Sequence, residues 1–265
     1  MRYLLKPVQF IYALYAFIVF ILLMFLVVPI VIVASFFGKM RGGNAINALC
    51  RFWAASWFIA CGIRHRNHYE QAHDEKGQFI FVSNHISYID IPTIFNTTGR
   101  QKIRILGKYE MSKIPVFGFI YKNVVVMVNR ESAESRAKSV RQLKSIIKKG
   151  LSVYIFPEGT FNMVHSPLKE FFDGAFRIAI ETETPIKPIL FLDTYDRLNY
   201  NSIFSLSPGK SRAVFLQEVP VTGLTVKETG ALKQKVYNIM EEALIRYNAS
   251  WISEAPLAVI NPGGG

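Results

Sequence analysis

Residues 84–90 read Asn-His-Ile-Ser-Tyr-Ile-Asp, directly after an apolar run at 79–82. Imidazole is the side chain best matched to proton transfer near neutral pH. A carboxylate on its far nitrogen fixes the tautomer and stabilises the imidazolium. Five residues do not bring two side chains onto one helical face, so a turn must return Asp90 to His85. A histidine just past a strand end is also poorly placed for a core, so the pair His85 and Asp90 is a candidate for general-base chemistry.

Two cations stand at comparable places. Lys108 follows the apolar run 103–106 and Arg130 follows 124–128. Cations at neighbouring strand ends can converge on a phosphate, and otherwise they are solvated surface charges. A third segment, Phe156-Pro157-Glu158-Gly159-Thr160-Phe161, closes the run 153–156. Pro157 and Gly159 force a sharp turn, whose free N–H groups can face an oxyanion. Glu158 either anchors this loop or contacts a substrate.

All three segments follow strands, which is where α/β sheets place ligands. Candidate strands are 79–82, 103–106, 124–128, 153–156, 186–192 and 213–216, and candidate helices are 132–149, 172–181 and 226–247. In 132–149, Ala133, Ala137, Val140, Leu143, Ile146 and Ile147 recur at helical spacing, with Arg and Lys on the other side and Gly150 as a stop signal. The alternation predicts an α/β domain with a central mixed, largely parallel sheet flanked by helices.

The chain has 265 residues, 51% hydrophobic, with a formal charge of +12. No charge interrupts 7–38, a run long enough to cross a bilayer and too long for a signal peptide. It is either one tilted helix or a helix broken near Pro29. Segment 44–62 holds Trp53, Trp57 and a single charge, Arg51, and is either interfacial or an ordinary core helix. Arg64, His65, Arg66 and His68 mark the return to water and place the following domain in the cytoplasm, at the inner membrane. The expected division is an anchor at 1–64, a catalytic domain at 65–255 and a flexible tail at 256–265. The basic charge suits an anionic lipid surface or an acidic carrier, and no nucleic-acid motif accompanies it. Cys50 and Cys61 lack metal-ligand spacing, so neither a disulfide framework nor a metal is expected.

Together the segments resemble the 1-acyl-glycerol-3-phosphate acyltransferases and their lysophospholipid and glycerol-phosphate acyltransferase relatives. The Asn-His-x-Ser-x-x-Asp motif is matched at every fixed position of 84–90, including Asn84 and Ser87. The second motif is similar to 108–118 with Arg130, and Phe-Pro-Glu-Gly-Thr stands intact at 156–160, including Pro157. A weaker fourth element is similar to 184–189. The resemblance covers roughly 75–195. It implies an enzyme of phospholipid biosynthesis that moves an acyl group from acyl-ACP or acyl-CoA to a lysolipid hydroxyl, without a cofactor or covalent acyl-enzyme. His85 would be the base and Asp90 its orienting partner. Lys108 and Arg130 would hold the acceptor phosphate, while Glu158, Gly159 and Thr160 would position acceptor and loop.

The chain departs from this pattern at 161–162. Many relatives acting on lysophosphatidate carry Arg then Ser there, and this chain has Phe161 and Asn162. Lys108, Arg130, Lys169 or Arg177 could supply the missing cation. The alternatives are an O-acyltransferase for another lysolipid or aminolipid, and an inert lipid-binding relative. Intact His85, Asp90 and Glu158 argue against the latter.

Overall fold

The computed structural model describes residues 2–252, with side chains from residue 7 onward; the tail expected at 256–265 lies outside them. The apolar runs form β2 (Ile80–Ser83), β3 (Ile103–Lys108), β4 (Val125–Val128), β5 (Ser152–Ile155), β6 (Ile186–Phe191) and β7 (Gly209–Phe215), preceded by β1 (Ile63–Tyr69). They build one sheet in the order β1-β7-β6-β2-β5-β3-β4. Every neighbouring pair is parallel except β6 with β7. β2, β5 and β6 are buried along their whole length, as parallel strands covered on both faces must be. The sequence reading missed β1, whose Ile-Arg-His-Arg-Asn-His-Tyr looks like a return to water. It is an edge strand paired only with β7, so its alternate residues can stay solvated.

Helices cover both faces. They are α1 (Arg2–Ser35), α2 (Gly43–Ala60), α3 (Asp90–Thr97), α4 (Phe117–Val124), α5 (Ala133–Ile147), α6 (Gly174–Glu181), α7 (Thr194–Arg197) and α8 (Thr229–Arg246). On one face Leu143 and Ile147 of α5, Phe176 of α6 and Val236 of α8 meet Val82, Val153 and Ile186. On the other, Val27 and Val31 of α1, Ile46 and Trp53 of α2, Ile94 of α3 and Ile120 of α4 meet Phe81, Ile105 and Tyr154. The sheet therefore separates α1 from α5.

α1 is continuous. Pro29 removes one helical hydrogen bond, yet the helix runs on to Ser35 because Val27 and Val31 on either side are buried. Its buried residues Ala13, Ala16, Met24, Val27, Val31 and Ala34, with half-buried Phe20 between Ala16 and Met24, recur every three or four positions along one seam. Trp57 Nε1 donates to the Ala16 carbonyl at 2.8 Å and Trp53 Nε1 to that of Phe20 at 3.1 Å. Numbers fall in α1 as they rise in α2, so the two form an antiparallel hairpin. A Cβ at Gly42 would lie 2.1 Å from the Ala34 carbonyl oxygen, so the hairpin closes this tightly only with glycine there. Arg104 on β3, almost fully buried, donates to the Lys39 carbonyl at 2.8 Å and ties the hairpin turn to the sheet. α2 thus behaves as a core helix on its inner side, while Phe52 and Ile59 remain exposed.

Candidate active site

The strand register sets the level of each candidate residue. Val82 stands opposite Ile155, Ile105 opposite Tyr154, and Lys108 opposite Val128. Counting onward, His85, Glu158 and Arg130 all leave the sheet at the same carboxyl edge. The first-motif loop is fixed at both ends. The Asn84 amide pairs with the Phe191 backbone, donating at 3.0 Å and accepting at 2.8 Å. Ser87, fully buried, donates to the Leu198 carbonyl.

Asp90 opens α3, and that short turn swings it back onto the histidine. Its Oδ2 accepts from His85 Nδ1 at 2.8 Å and from the backbone N–H groups of Ile86 and Ser87, each at 2.8 Å. Asp90 is fully buried, and His85 keeps 15% of its side chain exposed. With a proton held on Nδ1, the Nε2 lone pair is the one left to accept another. The ring is clamped by stacking on Phe156, at 3.9 Å between centroids, and by the edge of Phe161 at 4.5 Å.

Glu158 is a strut. One oxygen accepts from the His85 backbone N–H at 2.8 Å, the other from that of Lys169 at 2.9 Å, and the residue is almost wholly buried. With one N–H from each loop on its two oxygens, it ties the two loops together. Burial pushes its carboxyl up to about 8, opposed by the two N–H bonds. Asn162, buried at the departing position, donates its N–H to the His85 carbonyl at 2.8 Å and so holds the same loop.

Gly159 adopts φ +74 within this turn, and a Cβ there would lie 2.7 Å from Phe172 Cε2 and 3.5 Å from Arg130 Nη1. Its own N–H is taken by the Phe156 carbonyl at 3.1 Å. The next two, on Thr160 and Phe161, make no hydrogen bond among the described residues and can face an oxyanion. Arg130 is partly buried, which lowers its pKa, and its Nη1 is buried without a hydrogen-bond partner among the described residues. Lys169 Nζ donates to Thr160 Oγ1 at 2.6 Å, so a second cation sits on the third motif. Lys108 lies exposed at the end of β3, while Arg177 pairs with Glu181 on α6. The structure therefore gathers His85, Asp90, Arg130, Gly159, Thr160 and Lys169, and leaves Arg177 aside. Sequence reasoning missed the aromatic clamp, for which the only local signal was the Phe156 and Phe161 bracket around the motif.

An apolar cavity of about 80 Å³ lies between the hairpin and α3–α4, with Ile91, next to Asp90, in its wall. Phe20, Trp53, Phe95, Phe117 and Tyr121 also line it.

The protein-family model described as Acyltransferase matches residues 64–192. The chain is 25% identical over 210 residues to the 1-acyl-sn-glycerol-3-phosphate acyltransferase of Haemophilus influenzae, spanning 78% of this chain and 85% of that one. It is 24% identical over 220 residues to the Homo sapiens 1-acyl-sn-glycerol-3-phosphate acyltransferase beta, spanning 80% and 77%. The crystal structure of the 1-acyl-sn-glycerophosphate (LPA) acyltransferase of Thermotoga maritima shares the fold, with a TM-score of 0.72 at 21% identity over 96% of this chain and all 100% of that one.

Proposed function

We propose that this chain, which matches the acyltransferase family model over residues 64–192, moves a fatty acyl group from a thioester donor to the free hydroxyl of 1-acyl-glycerol-3-phosphate, forming phosphatidic acid. The observation that carries the chemistry is the 2.8 Å bond between His85 Nδ1 and buried Asp90, which reserves Nε2 for the acceptor. Nε2 takes the hydroxyl proton as the oxygen attacks the thioester carbonyl. The N–H groups of Thr160 and Phe161 meet the resulting oxyanion. As the intermediate collapses the C–S bond breaks, and the departing thiolate takes the proton from the imidazolium. A placed histidine contributes about 10²–10⁴-fold, and alignment of the two amphiphiles contributes the larger share.

Arg130 and Lys169 form the phosphate end of the site, with Lys108 at its rim. Arg130 has an unused guanidinium nitrogen beside Gly159, where a phosphomonoester would receive a charge-assisted bond. The wholly apolar walls of the cavity suit the start of an acyl chain. The cavity lies on the α1 side of the sheet, so a lipid tail enters from the bilayer. Residues 1–64 serve as the anchor. Val8, Ile11, Phe17, Leu22, Phe25 and Ile30 of α1 are exposed, and a helix apolar on all sides in this way fits lipid. The membrane is the inner one, with the catalytic domain on the cytoplasmic side. The donor is an acyl thioester of acyl carrier protein or coenzyme A.

One observation favours a second acceptor class. Phe161 packs an apolar edge on the histidine where many relatives hold a cation, which suits a lysolipid or aminolipid hydroxyl without a phosphomonoester. Purified full-length protein in detergent, given a panel of lysolipids with both donors and read by mass spectrometry, decides. Phosphatidic acid as the dominant product is the expected result. Product from another lysolipid alone would replace the acceptor, and no acyl transfer to any acceptor would overturn the reading.

A further inference from the structure

α5 buries one side and charges the other. Ser139, Leu143 and Ile147 face the sheet. Lys138, Arg141 and Lys148, at i, i+3 and i+10, line the opposite side together with Lys149, and all four are exposed. None of them forms an ion pair among the described residues, whereas Lys144, nearer the sheet, reaches Glu181 at 2.5 Å. Glu134 is the one carboxylate on this side of the helix, and it makes no ion pair with Lys138. Helix-dipole attraction accounts for the cations just past the helix end, Lys148 and Lys149. It does not account for Lys138 and Arg141 in mid-helix, where like charges at this spacing repel.

Two further features give the stripe a direction. α5 packs on the face of the sheet away from α1, so a bilayer holding the hairpin cannot reach it. Its first turn adjoins the site. Ala133 follows Arg130 closely, and Ser135 Oγ accepts from the Asn129 N–H at 2.9 Å. A polyanion resting on α5 is therefore soluble, and its near edge lies at the phosphate end of the site.

We propose that the outer face of α5 is a docking surface for an acidic carrier protein that bears the acyl thioester. This rests on the acyl-transfer reading above and deepens it. The acceptor reaches the site through the bilayer side, and the donor arrives from the aqueous side, head first along a cationic helix. Complementary charge of this kind acts mainly on the encounter rate and fades with salt.

The test uses full-length protein in detergent with Lys138→Glu/Arg141→Glu, neither residue lying in the catalytic machinery. Acyl-ACP and acyl-CoA are varied in turn at several salt concentrations. The expected result is a rise of about tenfold in KM for acyl-ACP, with loss of its salt dependence and unchanged kinetics with acyl-CoA. If the reversal disturbs folding, Lys138→Gln/Arg141→Gln should show a smaller change in the same direction. Equal effects on both donors, an unchanged KM for acyl-ACP, or wild-type protein that uses acyl-CoA alone would each overturn the proposal. So would loss of binding to anionic vesicles as the sole effect, which would make the face a lipid contact. Turnover with acyl-CoA reports the acyl-transfer reading independently. Failure of both donors would remove that reading and this proposal with it.

Discussion

Arg130 Nη1 lies 3.5 Å from the point where a Cβ on Gly159 would stand, buried and without a hydrogen-bond partner among the described residues. The unused donor of the second motif and the bare backbone of the third thus lie side by side, and any side chain at residue 159 would come between them.

Arg130→Ala should raise the KM for lysophosphatidate by about 10–100-fold, the worth of a lost hydrogen bond to a charged group, and leave the donor KM nearly unchanged. Arg130→Lys should recover part of the loss, because an ammonium lacks the planar fork. Steady-state kinetics with each substrate varied in turn measures both. Unchanged acceptor kinetics would remove the phosphate assignment.

Gly159→Ala should damage activity more than stability. The residue holds φ +74, and the new Cβ would press on the Phe172 ring and narrow the space beside Arg130. A cost of about 1 kcal/mol in stability with a much larger fall in kcat/KM is expected. Activity falling only in step with folded fraction would contradict this.

His85→Ala should lower kcat by about 10²–10⁴-fold with the fold retained. Asp90→Asn should be similarly severe, since the amide oxygen can still accept from Ile86 and Ser87 but no longer stabilises an imidazolium. Retention of a tenth of wild-type turnover in His85→Ala would rule out a general base. Thermal melting in detergent separates the catalytic loss from unfolding.

Glu158 gives a pH signature. Its folded value of about 8 lies above the ordinary 4.5, so the native state binds more protons between these limits. By linkage its contribution is complete below about pH 4.5 and is lost as pH rises through about 8, with a slope of at most about 1.4 kcal/mol per pH unit. Glu158→Gln should flatten that slope and cost about 1–3 kcal/mol, because one backbone N–H loses its acceptor. Denaturation in detergent from pH 5 to 8 compares the two proteins, and identical slopes would show that Glu158 does not titrate there.

Removal of residues 1–40 should not release a soluble catalytic domain. α1 covers Ile46, Trp53 and Trp57 of α2, so its loss would bare an apolar seam that shares the core with the sheet. Aggregation without detergent is the expected result on size-exclusion chromatography. A monodisperse soluble species would show that the seam is dispensable.

The candidate site was legible because it is local. His85, Asp90, Pro157 and Gly159 follow apolar runs, and a strand end needs only a handful of residues to declare itself. The mostly parallel sheet was legible for the same reason. What stayed hidden depends on partners far along the chain. β1 looks polar until β7 pairs with its edge. Glu158 becomes a strut only when His85 and Lys169 bring their N–H groups to it from two loops. Phe161 shows as a missing cation in the sequence, and only the fold lays it against the imidazole. α2 could be read as interfacial or core, and the fold buries its inner side in the core while leaving Phe52 and Ile59 exposed.

Arg104 reaches back from β3 to the hairpin turn, and this carries a consequence for biogenesis. Helix α1 belongs to a core whose other walls, Phe81, Ile105 and Tyr154, are translated after it. Until they emerge, α1 has no protein partner for its inner seam beyond α2. A chain built this way has to shelter the apolar seam of α1 early and complete its tertiary structure afterwards against a helix already in place. Synthesis without a bilayer or detergent should therefore fail at the first helix, before the sheet has any chance to form.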